Sequence, residues 1–240
     1  MAAADIRIIQ PILGHTDVKT TQGLQVAASF AWPAQPRSRT VWSSTLNNPY
    51  EIVGTAFGLL SVWLTIRKSV WCWPTGLVNV VCFFVMFCEV KLYAELITYA
   101  VFFGLGLYGW WKWSPGKNAH TELPVTRTPH RLAAVLIALG LVWTPIQGYC
   151  LHQYTDAALP YWDSSITVLS LLAQWMMARK YLENWLLWIA VDLLGIGVYQ
   201  AKGLYATAGL YAVFLILATS GLVTWWRAFA VERKPDRASI

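Results

Sequence analysis

Charge is what this 240-residue chain has least of: Asp, Glu, Lys and Arg make up 12% of it, against about 25% in an ordinary soluble domain. No Lys or Arg lies in the interior of its long apolar runs, so a multiply phosphorylated ligand would find no counter-charge there. There is no Walker loop, which leaves direct ATP-driven pumping by this chain without support. The four cysteines, Cys72, Cys82, Cys88 and Cys150, lack metal-ligand spacing, and the four histidines fall in the tail or in loops. No metal, cofactor or disulfide is read from them. The apolar runs offer one credible acid and no nucleophile–base pair, which argues against an enzyme. No basic stretch leading into an apolar core opens the chain, so no signal peptide is read there.

What is abundant is apolar surface. Hydrophobic residues make up 57% of the chain, and 15 residues are Trp. With so little charge, this predicts an all-α protein whose partner is the lipid bilayer. The net charge of +6 is not read as nucleic-acid binding, because the basic residues gather in loops on one side.

Seven apolar segments of roughly spanning length run near 49–66, 71–89, 92–112, 131–149, 164–178, 184–200 and 204–226. The longest connection, 114–130, holds Pro115, Gly116, Pro124 and Pro129 and reads as a loop. Arg67, Lys68, Arg127, Arg179, Lys180 and Arg227 lie on one side, whereas the loops of the other hold only Lys91 and Lys202. Positive-inside then places the C-terminus in the cytoplasm and the N-terminus outside. Trp110, Trp111, Trp113, Trp225 and Trp226 stand at cytoplasmic span ends and are expected to form an interfacial belt.

A self-match at an offset of 112 residues organises the spans. Trp63 matches Trp175, Arg67 and Lys68 match Arg179 and Lys180, and Trp73 matches Trp185. Tyr99 matches Tyr211, Gly109 matches Gly221, and Trp113 matches Trp225. Each unit has three spans and one further span separates them. Four crossings therefore lie between unit starts, and the repeats are parallel, as in SWEET transporters. The expected division is a polar segment 1–48, a first three-helix unit 49–113, a loop and linker helix 114–150, a second unit 151–227 and a cytoplasmic tail 228–240.

The candidate site centres on 184–192. Asp192 is an acid inside a span, at a cost of a few kcal/mol. Trp185, Trp188 and Asp192 fall at i, i+3 and i+7, on one helical face. Two indoles and an acid suit a flat cation or a nucleoside. Strict offset pairs Asp192 with Val80, so Asn79 in the first unit is one residue, about 100° of helix, out of register. Asn79 reads equally as interhelical glue, and Tyr99 and Tyr211 as symmetric packing or paired contacts. Glu95 is expected near the outer interface and Glu51 at a span end.

Two resemblances follow. The run from Asp5 to Thr21, with Leu13, Gly14 and His15, resembles the C-terminal end of tyrosine recombinases, but the nucleophilic Tyr after the paired Thr is missing. It reads as a gene-fusion remnant or misplaced start, or equally as a genuine amphipathic segment. From Asn48 to Trp226 the chain resembles the PnuC family of vitamin transporters. The likeness is carried by Gly58 to Leu64, Trp73 to Gly76 with Asn79, and Lys91 to Ala94. Gly109, Trp110 and Trp113, Glu183 to Asp192, and Lys202 to Tyr205 extend it.

That resemblance implies a SWEET-like fold of two three-helix bundles and a linker helix (3+1+3), a homotrimer and a bacterial plasma-membrane location. It implies uptake of nicotinamide riboside by facilitated diffusion, with intracellular phosphorylation trapping the product. Carried over, Trp185, Trp188, Asp192 and Asn79 bind substrate between the bundles. Trp73, Tyr99 and Tyr211 complete the candidate set. Relatives that carry thiamine, riboflavin or deoxynucleosides leave those substrates open, as they leave open proton coupling through Asp192. Many members have Gln after Leu-Tyr-Ala-Asp, where this chain has Glu95 followed by Leu96, Ile97, Thr98 and Tyr99.

Overall fold

A computed structural model of the chain describes residues 49–89, 93–114, 123–155 and 157–232. The segment 1–48, with His15, and the tail beyond 232 lie outside them. Where apolar runs leave the backbone no water to bond, it must bond itself, and helices do this within one segment. Seven helices result among the described residues: α1 (Pro49–Ile66), α2 (Cys72–Glu89), α3 (Tyr93–Trp113), α4 (His130–Tyr154), α5 (Pro160–Ala178), α6 (Asn184–Ala201) and α7 (Tyr205–Glu232). Three of them, α4, α6 and α7, are long and apolar enough to cross a membrane.

The boundaries depart from expectation in three places, one of them α4, which runs on past 149 to Tyr154. Helix α5 begins at Pro160, four residues early, because Pro is well suited to a first turn whose N–H groups have no partner. Helix α7 runs on past 226 to Glu232.

Each helix packs on its sequence neighbour within 49–113 and within 160–232, and two further pairings, α3 with α5 and α1 with α7, join these groups. The six helices therefore close a ring in the order α1, α2, α3, α5, α6, α7. Helix α4 packs against α5, where Tyr161 sits so close to Gly148 that a Cβ there would lie 2.4 Å from the ring. Apolar side chains such as Ile137, Leu141 and Ile216 face outward, as a lipid-facing surface requires.

Local geometry recurs at the offset of 112. Helix α1 ends with Lys68 at φ 58° and α5 with Lys180 at φ 54°. Ser69 N–H donates to Leu64 O and Lys68 N–H to Thr65 O; Tyr181 N–H donates to Met176 O and Lys180 N–H to Met177 O. This is the left-handed helix stop with two crossed bonds, made here twice by a lysine. We call the end of the bundle holding these two turns the far end, and the end holding Pro49 the near end.

Candidate substrate site

The far end is closed by four tryptophans. Trp73 opens α2 and Trp185 opens α6, and each is only 2% exposed. Gly109 and Gly221 make room for them: a Cβ would lie 2.1 Å from the Trp73 ring and 2.5 Å from that of Trp185. Trp73 meets Trp113 edge-on at 5.5 Å, and Trp185 meets Trp225 edge-on at the same distance. Trp113 and Trp225 lie 6.1 Å apart and link the two halves.

Their N–H groups cross between the units: Trp113 Nε1 donates to Ala178 O on α5 at 3.1 Å, and Trp225 Nε1 to Thr65 O on α1 at 3.2 Å. Buried Lys180 places its ammonium 4.4 Å from the Trp113 ring centre. The belt expectation thus fails for Trp113 and Trp225, which are core residues, while Trp110, Trp111 and Trp226 stay exposed. The reason is helical phase: one residue turned inward at a span end packs, and its neighbour one step along does not. The N–H groups of Trp73 and Trp185 have no hydrogen-bond partner among the described residues.

Asp192 lies mid-helix on α6 and is 4% exposed. Trp188, one turn earlier, packs both on the tryptophan cluster and on Ile166, Val191 and Val198. Asn79 is turned the other way. Its side-chain N–H donates to Gly54 O on α1 at 2.7 Å, a bond inside the first group of helices.

Toward the near end the two groups differ. Tyr99 packs among Phe83, Phe87 and Phe102 at centroid distances of 6.0, 5.2 and 6.1 Å. Tyr211 instead stacks on Tyr199 at 5.2 Å and 24°, and the two hydroxyls are hydrogen-bonded. Tyr211 also lies within electrostatic reach of Asp192.

Three charged residues at this end were not singled out from sequence as a site. Lys202 Nζ donates to both carboxylate oxygens of Asp163, at 2.7 and 3.0 Å, and both side chains are buried. Glu95 on α3, expected near the interface, is 8% exposed and faces this pair. The early start of α5 explains the omission: it turns Asp163 from a loop residue into an inward-facing helical one. The structure therefore gathers Trp73 and Trp185 at the far end, Trp188 and Asp192 in the middle, and Tyr99 and Tyr211 beyond them. Asn79 stands apart against α1.

Residues 48–227 match the model of the nicotinamide mononucleotide transporter family. The chain belongs to that family. Its members are transporters and not enzymes, and the matched region takes in all of the residues just described. The nicotinamide riboside transporter PnuC of Escherichia coli K12 is 29% identical over 200 residues, which cover 73% of this chain and 84% of that protein. The riboflavin/roseoflavin transporter RibM of Streptomyces davaonensis is 29% identical over 189 residues, 77% of this chain and 88% of that one. A crystal structure of the vitamin B3 transporter PnuC shares the fold, with a TM-score of 0.61 over 94% of this chain and 98% of that chain at 21% identity.

Proposed function

We propose that the protein carries nicotinamide riboside down its gradient across a bacterial plasma membrane, with phosphorylation inside the cell trapping the product. One observation carries this reading. Asp192 is a buried acid that takes part in neither of the ion pairs formed among the described residues, Arg127–Glu183 and Lys202–Asp163. A pyridinium nucleoside supplies the missing positive charge. Aromatic faces attract such a ring by about 0.5–2 kcal/mol. Asp192 and the tyrosine hydroxyls offer bonds to its ribose. The likeness to the nicotinamide riboside transporter of Escherichia coli supports the choice.

The reading includes an architecture. All seven helices cross the membrane in a SWEET-like 3+1+3 arrangement, the far end is cytoplasmic, the N-terminus lies outside, and three copies assemble. Substrate binds between the two units. Trp188, Asp192, Tyr99 and Tyr211 touch it, Trp73 and Trp185 offer their unused N–H groups from the far end, and Asn79 fixes α2.

The test is uptake into proteoliposomes. Labelled nicotinamide riboside should enter saturably with no ion gradient imposed, and Asp192→Ala should abolish this. A requirement for a pH gradient would overturn the energy-independent mechanism and favour proton coupling through Asp192. The second reading is riboflavin, favoured by the likeness to RibM. Thermal stabilisation of purified protein by nicotinamide riboside, riboflavin, thiamine and deoxynucleosides ranks these candidates directly.

A further inference from the structure

Asp192, Gly195 and Tyr199 follow one another at i, i+3 and i+7 and form one stripe along α6. The Tyr211 ring of α7 lies flat along that stripe. A Cβ built on Gly195 would stand 2.4, 2.5 and 2.8 Å from three of its ring carbons. The positions related by 112 residues are Val80, Phe83 and Phe87. There the Phe83 ring meets the Tyr99 ring, with centroids 6.0 Å apart. The two tyrosines match in sequence, yet one meets a phenylalanine side chain and the other rests on bare backbone near the acid.

We propose that Gly195 is a specificity-determining residue: by letting Tyr211 lie against α6, it sets how wide a ring system the site accepts next to Asp192. The inference rests on the transport reading above. No real Cβ makes contacts as short as those at Gly195, so any larger residue displaces the ring. Tyr199 stacks on one face of the ring, so a Cβ at Gly195 forces the ring off its seat on α6 beside Asp192. Other glycines in this protein also seat aromatic rings, and close helix packing explains those. Gly148 under Tyr161 is one, on the α4–α5 contact and away from Asp192. Gly195 differs in that its seat adjoins the acid.

The experiment measures the concentration dependence of uptake by the full chain in proteoliposomes, with nicotinamide riboside and riboflavin as probes. Gly195→Ala should raise KM for nicotinamide riboside about tenfold, with the maximal rate little changed. If Gly195 acts through the Tyr211 ring, adding Tyr211→Leu should cancel the effect of Gly195→Ala, so that the double variant has the KM of Tyr211→Leu alone. Gly148→Ala, whose nearest ring contact of 2.4 Å is the same, should leave KM unmoved. Tyr211→Leu alone should shift preference toward the three-ring flavin about tenfold, which keeps the test alive if Gly195→Ala does not fold. An unchanged KM in Gly195→Ala, or an unchanged ligand preference in Tyr211→Leu, overturns the inference. A wild type that moves riboflavin and not nicotinamide riboside would sink the substrate reading, and the inference would then be read from riboflavin alone, whose KM Tyr211→Leu should lower about tenfold.

Discussion

At the scale of single residues, the strongest consequences attach to buried charge. The Lys202 ammonium is held by both oxygens of Asp163, and neither side chain reaches solvent. Removing one partner strands the other, which typically costs about 3–5 kcal/mol. Lys202→Met should therefore melt well below wild type in detergent, and Asp163→Asn with Lys202→Met should recover much of the loss. Equal melting of the single and double variants would mean that the pair is not coupled. Asp192 predicts a different signature, in binding rather than stability. Asp192→Asn keeps the shape and removes the charge, so affinity for the cationic nucleoside should fall by about 1.5–3 kcal/mol, the worth of a hydrogen bond to a charged group. Affinity for uncharged riboflavin should change far less, and isothermal titration with both ligands separates the two cases. These residues were not equally legible. Asp192 announced itself because an acid deep in an apolar run is rare. Asp163 and Lys202 stand at helix ends, where acids and bases are ordinary, and only the fold turns them toward each other and toward Glu95.

At the scale of elements, the connector between α3 and α4 shows what sequence pattern hides. Its prolines and Gly116 mark it as a loop, and the stretch 123–129 joins no helix. It is nevertheless pinned to the α5–α6 turn. Thr126 N–H donates to Lys180 O, and Leu182 N–H donates to Thr126 O. Thr128 donates to Glu183 Oε2 from both its N–H and its hydroxyl, at 2.9 and 2.8 Å. Val125 is buried within the tryptophan cluster. Pairing across some 55 residues has no local signature, because it depends on where the helices place two distant segments. The nearby Arg127–Glu183 contact, at 3.8 Å and half exposed, contributes little; the bonds from Thr128 dominate. Glu183→Ala should therefore free the connector. Amide exchange at 125–128 should quicken about tenfold or more, matching the loss of charged hydrogen bonds worth about 1.5–3 kcal/mol, while exchange in mid-α6 stays unchanged. If both segments quickened together, the connector would not be a separate unit.

At the scale of the whole molecule, the offset of 112 residues was legible as matched residues, and the helix stops at Lys68 and Lys180 repeat it in space. What could not be read was how the two groups of helices are fastened, because Trp113 and Trp225 look the same in sequence whether they face lipid or a core. Each donates its N–H to the opposite group, so the far-end crossings α3–α5 and α1–α7 are each tied by one indole. Cys72 is buried in the same cluster, whereas Cys82 lies deeper along α2 and is half-buried. If the ties hold the far end shut, loosening one should expose Cys72 and leave Cys82 alone. Trp225→Phe removes the bond to Thr65, worth about 1 kcal/mol, and some packing volume with it. In proteins keeping Cys72 or Cys82 as the single thiol, the substitution should speed maleimide labelling of Cys72 about fivefold, the Boltzmann equivalent of that bond when labelling follows the opened population. Labelling of Cys82 should not change. Equal acceleration at both thiols would mean general loosening, and no change at Cys72 would mean that the indole bond does not restrain the far end. Only a rise confined to Cys72 fits a ring of six helices that opens at one end by parting two contacts, each closed by a tryptophan from the other half.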